Sequence, residues 1–134
     1  MQVLDLRPPS ITIKFSKGST LDPIFFYLGK DNTVIDMTWY TARFQARLTP
    51  SSETVLTGFD LTTENGGLAI VTGDAETPEG IIVGAQGVRL NIPPSVLSTV
   101  TARTLVFGVE VTSPSGKVVE LVTGTLEPIL DIVR

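Results

Sequence analysis

The stretch YTARFQARL, residues 40–48, alternates apolar and polar side chains without a break. In an extended chain successive side chains point to opposite sides. Tyr40, Ala42, Phe44, Ala46 and Leu48 therefore share one face, and Thr41, Arg43, Gln45 and Arg47 share the other. This is the pattern of an antiparallel strand with one face on a core and one in water. The same period sets Ile11, Ile13 and Phe15 against Thr12 and Lys14, and Val88, Leu90 and Ile92 against Arg89 and Asn91. Three further stretches, 24–28, 105–111 and 118–126, are apolar on both faces, the last interrupted by Glu120 and Thr123. They are expected in central or covered strands, or at an interface.

Between these runs stand residues that favour turns, at 29–32 (GKDN), 64–67 (ENGG) and 113–116 (SPSG). Glycine and asparagine tolerate positive φ and proline presets φ, so each of these segments has a physical reason to reverse the chain. The last of them joins two long β runs and makes 104–126 the firmest hairpin. One short helix is expected at 93–100, where Pro93 and Pro94 precede Val96, Leu97 and Val100, which form an apolar side able to close one end of the fold. Residues 73–87 hold four glycines and three acids around Ile81, Ile82 and Val83. They read as a long loop or arm that packs on a neighbour, with one more strand of the sandwich as the alternative. The expected fold is all-β: one antiparallel β-sandwich domain over residues 1–134, immunoglobulin-like or jelly-roll in type, with a tail at 128–134.

Composition narrows function. The chain of 134 residues has neither histidine nor cysteine, which removes imidazole bases, thiol nucleophiles, disulfides and zinc-thiolate sites together. Ten Lys and Arg against fourteen Asp and Glu give a net charge of −4, and the basic residues are scattered, so nucleic acid is not an expected partner. Mean hydropathy is +0.28, yet no apolar run approaches the ~20 residues that span a bilayer, so no membrane partner is expected. The opening MQVLDLRPPS lacks a basic segment followed by an apolar one and does not read as a secretory signal. No catalytic, cofactor or metal site is expected. Asp74, Glu76 and Glu79 match no calcium-loop spacing and read as a solvated acidic stretch. Ser16 and Lys17, like Ser115 and Lys117, stand in turn-like sequence, the wrong setting for a lysine-activated nucleophile.

The segment ITIKFSKGST (11–20), an apolar strand and then DMTWYTARFQAR (36–47) resemble a pattern of tailed-phage proteins. In it an opening strand and a Gly-Ser turn precede a strand, and a loop of the form D-L-T-G-Y-T-A enters an alternating strand. Later segments, LTTENGGL (61–68), VRLNIP (88–93) and a final hairpin, extend the resemblance over roughly residues 10–126. The pattern resembles β-sandwich domains at the N-terminus of baseplate and receptor-binding adaptor proteins, and small virion proteins. This sequence departs from it at Trp39, where the pattern has glycine, and in the longer 73–87 segment. The resemblance implies a virion structural protein without enzymatic activity, made in the cytoplasm of a host bacterium, with other virion proteins and copies of itself as partners. A tail or baseplate adaptor is the first expectation, and a capsid decoration or cementing protein the alternative.

Two sets of residues are candidates for contact. Ile81, Ile82 and Val83, with Ile129, Leu130, Ile132 and Val133 of the tail, place apolar side chains outside the regular strands and are expected assembly contacts. Trp39 is expected to cover one end of the core, and alternatively Trp39 and Tyr40, with Phe25, Phe26 and Tyr27 near them, form an aromatic platform of a carbohydrate-binding module for host surface glycans. Arg43 and Arg47 are expected on a solvated strand face.

Overall fold

In the computed structural model, which describes residues 10–129, the alternating stretch becomes strand β3 (Thr41–Arg47). Ala42, Phe44 and Ala46 are buried on it, while Thr41 and Arg43 are exposed. It belongs to a five-stranded sheet with β1 (Ser10–Phe15), β4 (Asp60–Thr62), β7 (Leu105–Thr112) and β8 (Val118–Pro128), in the order β1-β8-β7-β3-β4. A three-stranded sheet, ordered β2-β6-β5, is built from β2 (Ile24–Phe26), β5 (Leu68–Thr77) and β6 (Gly80–Leu90). The fold is an all-β sandwich of two sheets.

One buried apolar cluster lies between them, with Phe15, Phe44, Phe107 and Leu126 from the larger sheet and Leu68, Val88 and Leu90 from the smaller. Phe107 links the layers: its ring stacks on Phe44 at 5.6 Å and lies 6.2 Å from Phe25 of β2. Each such side chain contributes about 1.5–3 kcal/mol through area removed from water. One end is closed as expected by helix α1 (Pro94–Leu97), with Leu97 and Val100 buried and Val96 packed over Gly58.

The expected hairpin joins β7 and β8, with Gly116 at φ 92° in its turn. The 64–67 segment turns between the sheets, where the Asn65 side chain accepts from the backbone N–H groups of Thr62 and Gly67, both at 3.0 Å. At 29–32, Asp31 and Asn32 both adopt positive φ in a short 3-10 turn.

Three expectations need correction. Residues 73–87 are not a mobile loop: as the alternative reading had it they are strand, supplying the end of β5 and most of β6, paired from Leu68↔Leu90 to Thr77↔Gly80. Of their glycines, Gly80 stands at the hairpin turn with φ 129°, and two others serve a bulge and a close approach. Gly84 sits at φ 75° where the register shifts, and at Gly87 a Cβ would lie 2.5 Å from the Phe25 carbonyl oxygen of β2. Second, the sandwich is not wholly antiparallel, because β1 runs parallel to β8 from Ser10↔Thr123 to Phe15↔Pro128. Alternation fixes which face of a strand is buried and carries no information on direction. Third, Leu48 does not join the buried face of β3. The strand ends at Arg47, and Leu48 is 52% exposed.

Candidate functional site

Trp39 is 84% exposed, the most exposed of the large apolar side chains described, and its backbone has φ 66°. A bulky residue in the left-handed region is an outlier that costs about 1 kcal/mol or more, and it persists only where the surrounding turn enforces it. Here the turn is tied at both ends. The Asp36 carboxylate accepts from the backbone N–H and hydroxyl of Thr38, which holds its titration below the usual carboxylate range. The N–H of Tyr40 donates to the Met37 carbonyl at 3.0 Å, and the N–H of buried Met37 donates to Gln86 Oε1 of β6 at 2.7 Å. The expectation that Trp39 covers the core is therefore overturned: the turn holds the indole in water. Tyr40 instead packs against the core, so the two rings do not form a joint platform.

The β5–β6 hairpin provides a second apolar surface. Beyond buried Ala75 and Ala85 only its own two strands remain paired, and there Ile81 is 62% and Val83 75% exposed, while Ile82 is half-buried. The hairpin end is anchored by a 3.1 Å bond from the Asn32 amide to the Glu79 carboxylate. Asp74 and Glu76 stand on β5 and Glu79 in the turn, all exposed. Among the described residues no group of three or more Asp and Glu converges in a way that would hold a metal ion. Ile129 is exposed, and Leu130, Ile132 and Val133 lie outside the described residues.

A trough of about 600 Å³ runs over the outer face of the larger sheet. Its cross-strand rows set Arg43 beside Glu110 and Glu120, and Gln45 beside Gly108, Thr123 and Ser10. The arginines are already engaged within the chain. Arg43 Nε and Nη2 donate to the Asp60 carboxylate at 3.1 and 2.9 Å, which lowers the Asp60 titration and raises that of Arg43. Arg47 donates to the carbonyls of Ser52 and Glu53 at 2.9 and 3.0 Å and so ties down the loop after β3. Among the described residues no polar or charged side chain is buried. The surface is suited to hydrogen bonding and contact, and the strained, exposed indole is its most distinctive element.

Searches against protein-family models, curated proteins and solved structures find no match.

The candidate residues thus fall in separate places: Trp39 on the turn before β3, and Ile81 and Val83 at the end of the β5–β6 hairpin. The trough was missed from sequence, although its arginines and Gln45 were assigned to the outer face. The placing of Glu120 in that row depends on the β7–β8 register, which a bulge between Val109 and Glu110 shifts. No local signal in the sequence announces that shift.

Proposed function

We propose that this chain is a non-enzymatic structural module of a tailed-phage particle, a β-sandwich adaptor of the tail or baseplate that docks on other virion proteins and on copies of itself. The virion setting rests on the resemblance across residues 10–126. The docking role rests on Trp39, whose 84% exposed indole is held out at the cost of backbone strain. The phage pattern has glycine at this position, and φ 66° is a conformation natural to glycine. A tryptophan placed there gains nothing for the fold and gains a large rigid contact for a partner, the kind of residue that anchors protein interfaces. Ile81 and Val83 supply a second apolar contact.

The direct test is incorporation. A tagged chain produced during infection is expected to copurify with particles and to be located on the tail by immunogold labelling. The Trp39→Gly variant is expected to fold and to be left behind. Incorporation of that variant at the wild-type level would remove Trp39 from the docking surface, and labelling on the head would favour a capsid decoration role. A single exposed indole is also the minimal element of a sugar-binding surface, so a glycan array gives the second readout. No retention is expected, because Tyr40 is turned to the core. Trp39-dependent retention would replace the adaptor reading with a carbohydrate-binding module.

A further inference from the structure

We propose that the free edge of β6 at residues 80–84 pairs antiparallel with the same residues of a second copy, about a two-fold axis through Ile82. β2 pairs with β6 at Gly87, Val88 and Arg89, and the last bond on that side runs from the Tyr27 N–H to the Gln86 carbonyl at 2.9 Å. Beyond it, among the described residues, no strand but β5 pairs with residues 80–85. A strand paired on one side presents a row of free N–H and C=O groups on the other. The remaining edges are guarded. β1 carries Lys14, β5 carries Asp74 and Glu76, and β2 and β4 are three residues long. Charge and shortness are the usual means of keeping strand edges apart. Residues 80–86, GIIVGAQ, contain neither a charge nor a proline. In a chain of net charge −4, contact between copies is opposed by self-repulsion, and this segment adds nothing to it.

The order of the residues selects the partner. GIIVG, residues 80–84, reads almost the same in both directions about Ile82, with Gly80 answering Gly84 and Ile81 answering Val83. Antiparallel pairing through Ile82 therefore sets Ile81 of each copy opposite Val83 of the other, all on one face. These side chains are 62% and 75% exposed, and directly opposed branched side chains stabilise a strand pair. The lengths also fit. β6 of the second copy begins at its Gly80, opposite Gly84, and so stops short of Gly87, where β2 takes the edge. The bulge at Gly84 ends the regular stretch and confines the contact to these five residues. The contact is isologous and closes at two copies, joining two β5–β6 hairpins into one four-stranded ribbon. So short a contact falls below the ~1,200 Å² of a standard interface, and the dimer is weak in dilute solution. Neighbours held in place on a particle supply an effective concentration of about a millimolar, which offsets that weakness. The inference rests on the adaptor reading for Ile81 and Val83 as a contact, and names its partner.

The absence of cysteine lets cross-linking read the register. An Ile81→Cys chain and a longer, tagged Val83→Cys chain are mixed at about 1 mM and oxidised, and the products are resolved on a non-reducing gel. The mixed dimer is expected in large excess over both unmixed ones, because only Ile81 and Val83 of different copies are directly opposed. In sedimentation the wild-type chain is expected to pass from monomer at about 10 μM to dimer near 1 mM. Val83→Lys, which puts a charge on the edge, is expected to weaken association about ten-fold or more with Tm unchanged. Glu76→Lys, on the far edge of the hairpin, is expected to leave association as it is. A wild-type chain still monomeric near 1 mM, undiminished association of Val83→Lys, or mixed and unmixed dimers in random proportion would each overturn the inference. Such a failure with normal incorporation into particles leaves the adaptor reading standing. A chain that dimerises in this register but joins no particle supports the inference and removes the virion setting alone.

Discussion

Trp39 shows how much a single residue can hide from sequence inspection. An aromatic beside a β-strand ordinarily adds buried area, and that average behaviour is what composition and pattern report. The deciding quantity is φ, 66° here, which follows from how Asp36, Met37 and Gln86 tie the turn. Because the indole buries little and its backbone is strained, Trp39→Gly should leave Tm unchanged or raise stability by up to ~1 kcal/mol, since strain relief outweighs the larger unfolded-state entropy of glycine. Thermal denaturation decides it, and a loss above ~2 kcal/mol would mean that the ring packs on the domain after all. Asp60 makes a second prediction. Its pairing with Arg43 depresses its titration in the fold, so it contributes stability above the unfolded value of about 3.9 and loses that contribution as pH falls through the lower folded value. Asp60→Asn should therefore lower Tm slightly at pH 7, by about 2 °C, because the pair is exposed. Once pH has fallen below the folded value, the two proteins should melt alike. A difference that widened towards low pH would contradict the sign.

Among the elements, β3 was readable from sequence because its two faces meet different media. Phe44 is fully buried and stacks on Phe107, so Phe44→Ala should cost about 3–5 kcal/mol, while Thr41→Ala on the exposed face should cost under ~1 kcal/mol. Chemical denaturation of both variants tests the assignment, and similar losses would refute it. The β5–β6 hairpin was harder to read for a physical reason. Its far half extends past the core, so Ile81 and Val83 are not balanced by a polar face, and Gly80, Gly84 and Gly87 resemble loop residues although each answers a local backbone demand. A place for Ile81 and Val83 outside the regular core was legible, since glycines at 80 and 84 flank the apolar run. Their strand state was legible only as the alternative reading, because a bulge removes the period-two signal. Replacing Ile81 and Val83 together by serine should leave circular dichroism and Tm close to wild type, and should abolish concentration-dependent association in sedimentation if this end is a self-contact. A drop of more than ~8 °C would return the pair to the core.

Across the whole molecule, the first and last strands lie side by side, so the larger sheet closes over almost the entire described chain: Ser10 meets Thr123 and Phe15 meets Pro128. Sequence alternation could not foretell this, since parallel partners need no connecting turn and leave no local mark. Closure has two consequences. Phe15 enters the common core, and β1 covers one edge of β8, whose other edge is taken by β7. Gly124 enables the first of these pairings, because a Cβ there would collide with the backbone of Ile11. An uncovered strand edge presents a row of unpaired N–H and C=O groups that recruits another chain, and β8 is among the longest strands described, eleven residues. Deleting residues 1–15 should therefore do more than destabilise. It strips one side of β8 while leaving β7 in place, and the truncated protein is expected to associate through the bare edge. Ile13→Ala, which thins the packing but keeps the strand, should remain a monomer of reduced Tm. Light scattering on the two variants separates edge protection from simple packing loss. A truncated protein that stayed folded and monomeric would show that β1 is an accessory to the sheet and not its closure, and the edge argument would fail with it.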